Sequence, residues 1–246
     1  MVVAGLVASL VAGLATGIGA LPVLVLKGGV SRRCLDGMLG LAAGVMLAAT
    51  AFSLLVPALE GGGVIPAGGG LLLGAALIAW LDRHVPHTHF QAGREGPSSR
   101  LARVWLLILA ITIHNFPEGM SVGVVFGSGD PAAGVVLAAA IGLQNMPEGL
   151  AVAAPLVREG YKHSRAVCYA ALTGLVEPIA GFLGAALVRL AAGILPWALG
   201  FAAGAMLYVV SDEMIPESHR EGHQREATWG VVLGFFLMMV LDNVLG

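Results

Sequence analysis

Charge is what this sequence has least of. Of 246 residues, 13 are Lys or Arg and 15 are Asp or Glu, so charged residues make up 11%. A soluble domain carries about 25%. The net charge of −2 excludes a strongly basic nucleic-acid binder. Cysteine is nearly missing too: Cys34 and Cys168 are the only 2, too few for a disulfide framework or a cysteine metal cluster. What fills the chain is apolar. Hydrophobic residues are 57%, there are 36 Gly, and the mean hydropathy is +0.87. Folding in water cannot hide that much apolar surface, and disordered chains have the opposite composition. The sequence describes a polytopic membrane protein.

A membrane helix needs about 20 mostly apolar residues. The charge-poor runs give eight: Val2–Leu26, Gly37–Leu59, Val64–Leu81, Val104–Gly127, Ala132–Leu156, Ala166–Val188, Ala192–Ile215 and Ala227–Leu241. Barrel strands would alternate polar and apolar residues, and these runs do not. Small residues such as Ala12–Gly13 and Gly40–Gly44 let helices approach closely. The first run has no basic segment ahead of it and is followed by Lys27, so it reads as a retained helix, not a signal peptide. The expected fold is an all-α bundle of eight membrane helices in one domain over residues 1–246. Residues 82–103, rich in Gly, Pro, Ser and Arg, read as a flexible loop.

Alternate loops collect the positive charge. Lys27, Arg32 and Arg33 follow helix one, and Arg83, Arg94, Arg100 and Arg103 follow helix three. Arg158, Lys162 and Arg165 follow helix five, and Arg220 and Arg225 follow helix seven. Only Arg189 falls on the opposite side. Positive loops stay cytoplasmic, so both termini are expected outside. Cys34 and Cys168 then lie on the reducing side.

Ionisable groups inside a membrane are costly and need a reason. Helix four contains His114-Asn115-Phe116-Pro117-Glu118-Gly119, and helix five contains Gln144-Asn145-Met146-Pro147-Glu148-Gly149. The second nearly repeats the first. His114 and Glu118, at i and i+4, share a helix face, with Asn115 at its shoulder. Gln144, Asn145 and Glu148 repeat that geometry. Helix six adds Glu177-Pro178, and helix seven adds Asp212-Glu213. Each Pro leaves the carbonyl four residues earlier unpaired, at Ile113, Leu143 and Gly174. Such irregularity is tolerated at membrane depth where it lines a cavity. Clustered bare carboxylates repel one another, and a divalent cation removes that cost. Imidazole, carboxylate and amide together suit borderline metals such as Zn²⁺ or Fe²⁺.

Bland readings stand beside these. Pro is common in membrane helices, and Glu177 alone could be a protonated packing residue. Asp36, Asp212, Glu213 and Asp242 lie near helix ends, where solvated charge is ordinary. Met46 and Ser53 read from spacing alone as packing residues. A doubled motif with two Glu and a His is not explained by packing.

These residues resemble the ZIP (Zrt/Irt-like) family of divalent-metal transporters, in its bacterial branch. The resemblance covers the whole chain: eight spans, HNxPEG in helix four, its relative in helix five, Glu-Pro in helix six and Asp-Glu-Met-Ile-Pro-Glu-Ser-His at 212–219. It implies a three-two-three inverted repeat and a binuclear metal centre at mid-membrane. By position, His114, Glu118, Gln144 and Glu148 would hold the transported metal, with Met46 as a sulfur ligand. Asn115, Asn145 and Glu177 would join the shared Glu118 and Glu148 around a neighbouring metal. Ser53 would lie near the outer entrance; Glu213 and Asp212 would lie toward the exit, and Asp36 also falls on the pathway. Many relatives carry His where this chain has Gln144, and some carry Asp where it has Asn145, so the site has fewer strong ligands. His84, His87 and His89 form either a metal-sensing loop or an ordinary solvated one.

The expected function is influx of Zn²⁺, with Cd²⁺, Fe²⁺ and Mn²⁺ as further candidates, across the inner membrane into the cytosol. The metal is cargo, and no cofactor is expected. The partners are the metal ions and the bilayer; a homodimer is left open and nucleic acid is not expected. Two rivals remain: a metal-selective channel, and an intramembrane metallo-enzyme. The second lacks HExxH, because HNxPE places an amide where that motif places its base.

Overall fold

Apolar runs of this length can satisfy their backbone in lipid only as helices or closed barrels, and this chain takes the helical solution. The computed structural model describes residues 1–25, 30–85, 87–89, 93–95, 103–220 and 222–245. Among them, 8 helices are long and apolar enough to cross a membrane. They are helix one Val2–Leu24, two Arg32–Gly62, three Val64–His84, four Ile108–Ser128, five Pro131–Arg158, six His163–Leu190, seven Leu195–Ser218 and eight Gln224–Val244. Every expected span is present, but several run further than the charge-free stretches. Helix two starts at Arg32, where the Ser31 side chain accepts from Cys34 N at 3.2 Å. Helix five starts at Pro131, behind an Asp130 carboxylate that accepts from Ala132 N and Ala133 N. Charged residues continue a helix past the apolar core, so a charge-free run marks the hydrocarbon depth and not the helix end.

The loop after helix three contains a short antiparallel pair, β1 (His87–His89) and β2 (Gly93–Glu95), which the all-α reading did not anticipate. Lys27, Arg100 and Gly246 lie outside the described residues, as do the side chains of His87, His89, Arg94 and Arg103.

The helices pack in two groups. Helix one lies on helices five and six, and helix four lies on helix six; helix two lies on helix eight, and helix three on helix seven. Glycine explains the pairing. A Cβ on Gly13 would collide with the Gly174 carbonyl, one on Gly149 with the Thr16 carbonyl, and one on Gly123 with the Gly181 carbonyl. In the other group, Gly44 meets Val231, Gly234 meets Leu41, Gly74 meets Phe201 and Gly204 meets Leu71 with the same closeness. Every such backbone approach among the described glycines lies inside one group or the other. Across the boundary, helix two meets helix five and helix four meets helix seven through side chains.

Helices two and seven each widen into a π-helical stretch, Ala49–Leu55 and Val210–Met214, just before Pro57 and Pro216. A π turn adds a residue to the ladder and turns the side chains beyond it to a new face. Ser53 sits on the first of these turns, and Asp212 and Glu213 on the second.

Candidate metal centre

Glu118 is at the middle of helix four, and Pro117 and Pro147 lie inside continuous helices. His114, Asn115, Glu118, Gln144, Asn145, Glu148 and Glu177 are all buried. The repeated motif thus turns its polar faces inward on both helices. His114 Nε2 stands 3.7 Å from Glu118 Oε1 and 3.8 Å from Glu148 Oε1. On its other side, His114 Nδ1 is 3.6 Å from Glu213 Oε2. These distances are too long for hydrogen bonds. They are close to the roughly 3.4 Å that separates two ligands of a tetrahedral ion bound at about 2.1 Å. One donor atom from each of His114, Glu118 and Glu148 falls within 4.8 Å of the others.

Gln144 Nε2 donates to Glu118 Oε1 at 2.6 Å, which orients that carboxylate and leaves the amide oxygen free. Asn145 Nδ2 donates to Glu177 Oε1 at 2.7 Å and to the Ala12 carbonyl at 2.9 Å. The second set of polar groups therefore rests against helix one. A Cβ on Gly13 would stand 3.3 Å from Glu177 Cδ, so glycine is what lets the backbone of helix one reach that carboxyl. Both ring nitrogens of His114, both oxygens of Glu148, both polar atoms of Asn115, and one oxygen each of Glu118, Gln144, Asn145 and Glu177 have no hydrogen-bond partner. Native proteins leave few buried polar atoms unsatisfied. The carboxylate and amide oxygens and the imidazole nitrogens in this one buried cluster are donors that suit a divalent cation.

The remaining candidates separate. Met46 is fully buried in helix two, and Thr50 Oγ1 donates to its carbonyl at 2.7 Å. Of the two acids on helix seven, Asp212 is exposed while Glu213 turns inward against His114. Ser53 Oγ donates to Asp242 Oδ1 on helix eight at 2.6 Å. Asp36 is buried and pairs with His223 Nδ1 at 2.9 Å, so it is not a solvated end charge. His84 is exposed, stacks on Trp80 and places Nδ1 2.8 Å from the Trp80 carbonyl. The small residues of helix one point to close packing and to no polar role. The Ala12 carbonyl and the buried Thr16 hydroxyl could not be found from motif spacing, because they carry no motif.

A family model described as "ZIP Zinc transporter" matches residues 82–242 of this chain. The chain belongs to the ZIP family. The ZIP match contains helices four to seven and nearly all of helix eight. Curated relatives extend the likeness over the rest. Zinc transporter GufA of Myxococcus xanthus is 47% identical over an alignment of 254 positions that covers 99% of each chain. Zinc transporter ZIPB of Bordetella bronchiseptica is 47% identical over 242 residues, covering 94% of this chain and 78% of the relative. The human zinc transporter ZIP11 is 38% identical over 322 residues, covering 94% of both. In this ZIP protein the polar residues of the HNxPEG segment are buried within helix four.

Proposed function

We propose that this ZIP protein carries Zn²⁺ across the plasma membrane into the cytosol, as a single transporter domain over residues 1–246. The observation that carries the reading is the buried cluster of His114 with Glu118 and Glu148, rich in unpaired donor atoms, with Glu213 beside His114. His114, Glu118, Gln144 and Glu148 hold the transported ion, with Met46 as a sulfur donor. Asn115, Asn145 and Glu177 form a neighbouring site that shares Glu118 and Glu148. Glu213 passes the ion on from His114 toward the cytoplasm, past Asp212 and Asp36, and Ser53 with Asp242 lies on the outer side. The matched positions of the π turns in helices two and seven support an inverted three-two-three repeat. Uptake of radiolabelled Zn²⁺, Fe²⁺, Mn²⁺ and Cd²⁺ into proteoliposomes, with and without a pH gradient, tests it. Zn²⁺ should accumulate at ordinary turnover rates. Currents far above about 10³ ions per second would indicate a channel, and peptide cleavage without flux an enzyme.

Orientation has its own test. With Cys34 and Cys168 removed, a Cys placed at either terminus should react with an impermeant thiol reagent outside intact cells. A Cys at Gly93 should not react. The reverse pattern would invert the topology.

Gln144 offers a graded one. An amide oxygen is a weaker Zn²⁺ ligand than a neutral imidazole, so Gln144→His should tighten binding and lower the apparent KM. Two imidazoles must then be neutral to bind, which makes uptake fall more steeply between about pH 7.5 and 5.5, around the ordinary His value of about 6.5. Equilibrium Zn²⁺ binding and uptake across that range decide it; unchanged affinity and pH dependence would remove Gln144 from the ligand set.

A further inference from the structure

An apolar cavity lies on the boundary between the two helix groups. It encloses about 650 Å³, within the roughly 300–1,000 Å³ of small-molecule sites. Leu73 of helix three and Phe201 of helix seven form one wall; Phe116, Met120 and Val124 of helix four, with Leu187 of helix six, form the other. No carboxylate, imidazole, amide or hydroxyl side chain is among the lining residues. An apolar cavity of this kind does not hold water or a metal ion.

Its lip and floor differ. Leu73 and Leu187 are 58% and 48% exposed, so the lip is continuous with the apolar outer surface of helices three and six. Val124 is 1% exposed, so the floor lies beneath that surface. From Phe116 to Val124 the floor runs eight residues along helix four, about 12 Å at 1.5 Å per residue. Half of a bilayer's hydrocarbon core is about 15 Å. The cavity is thus about as long as one leaflet is deep. Its apolar lining, leaflet-matched length and lip open to the outer surface suit a flexible hydrocarbon chain.

We propose that this groove binds an acyl chain of a membrane phospholipid, wedged between the two helix groups behind the metal-binding motif. Phe116 connects the two features. Its ring forms part of the groove wall, and in sequence it lies between Asn115 and Pro117 of the polar motif. The bound chain fills the seam where the groups meet through side chains, and so ties bilayer composition to the packing beside His114.

The test is photolabelling of the intact protein in proteoliposomes containing phosphatidylcholine with a diazirine in its acyl chain, at low mole fraction. Phe236 on the outer face of helix eight, 56% exposed, reports ordinary contact with bulk lipid. Met120 should be labelled at least five-fold more than Phe236. Replacing Leu73 and Leu187 together by Phe narrows the lip; it should bring Met120 labelling down to the Phe236 level and leave Phe236 unchanged. Both positions are exposed at the lip, so the fold should tolerate the change, and unchanged Phe236 labelling checks that. Labelling of Met120 no higher than Phe236, or unaffected by the two substitutions, would overturn the proposal. So would labelling of Met120 by a water-soluble diazirine. The readout needs no metal flux, so its outcome is independent of the transport assay.

Discussion

Zn²⁺ uptake should fall to background in Glu118→Ala and in Glu148→Ala, while each variant still reaches the membrane. Both carboxylates face His114, at 3.7 and 3.8 Å, and in the proposed arrangement each serves both metal positions, so either change would remove a donor from two sites at once. Folding should survive. Glu118→Ala leaves the Gln144 amide without its acceptor, which costs about 1–3 kcal/mol, but it also removes one of several mutually repelling acids. Equilibrium Zn²⁺ binding in detergent, read beside membrane abundance, separates lost ligation from lost protein. Glu118→Gln refines the result: it keeps the shape and still loses the charged donor, so it should also be inactive. Near-normal flux in any of these variants would remove the shared-carboxylate arrangement. Changing His84, His87 and His89 together should lower uptake far less, because His84 is exposed and stacks on Trp80, away from the buried cluster.

Gly149→Ala should destabilise the protein and suppress uptake, although Gly→Ala inside a helix ordinarily stabilises by about 1 kcal/mol. The inversion of sign is the point of the experiment. The added methyl would collide with the carbonyl of Thr16 and crowd its Cα, and backbone cannot turn aside as a side chain can. Overpacking typically costs about 1–3 kcal/mol, and here relief requires helices one and five to part. That parting would stretch the 2.9 Å bond from Asn145 Nδ2 to the Ala12 carbonyl, so the polar centre loosens with the packing. Gly68→Ala on helix three is the matched control, since a Cβ there has nothing within 4 Å. Thermal unfolding in detergent should show Gly68→Ala at or above the parent and Gly149→Ala several degrees below it. Equal melting temperatures would show that the close approach carries no weight.

Much of this was legible in the sequence because hydrocarbon imposes a simple rule on it. Each of the eight charge-poor runs is a helix, since exposed backbone in lipid has no other outlet. The cluster around His114 was legible for a related reason: an i,i+4 pair on a helix must share a face, and two copies must present similar faces. Three things were hidden. Asp36 pairs with His223 and Ser53 with Asp242, contacts 187 and 189 residues apart that depend on helices two and eight lying together. Local spacing holds no record of such pairings. The choice between Asp212 and Glu213 was undecidable because a π turn breaks the 3.6-residue period on which face assignments rest. The close approach at Gly13 was legible from the small residues of helix one, but its polar contribution was hidden because a backbone carbonyl, that of Ala12, shows in no motif.

The placement of the glycines also sets how the molecule resists deformation. Where backbone lies on backbone, a displacement of even an ångström meets hard repulsion, so helices joined in that way move as stiff beams: one, four, five and six together, two with eight, and three with seven. Where the groups meet through side chains, rotamers can yield, and the joint is compliant in shear. Thermal motion in such a body concentrates in its softest joint. His114, Glu118, Gln144, Glu148 and Glu177 all ride on the first beam, and Glu213 rides on the pair formed by helices three and seven. Distances among the first five should therefore fluctuate little, while the 3.6 Å gap from His114 to Glu213 spans the joint and is the one most free to open.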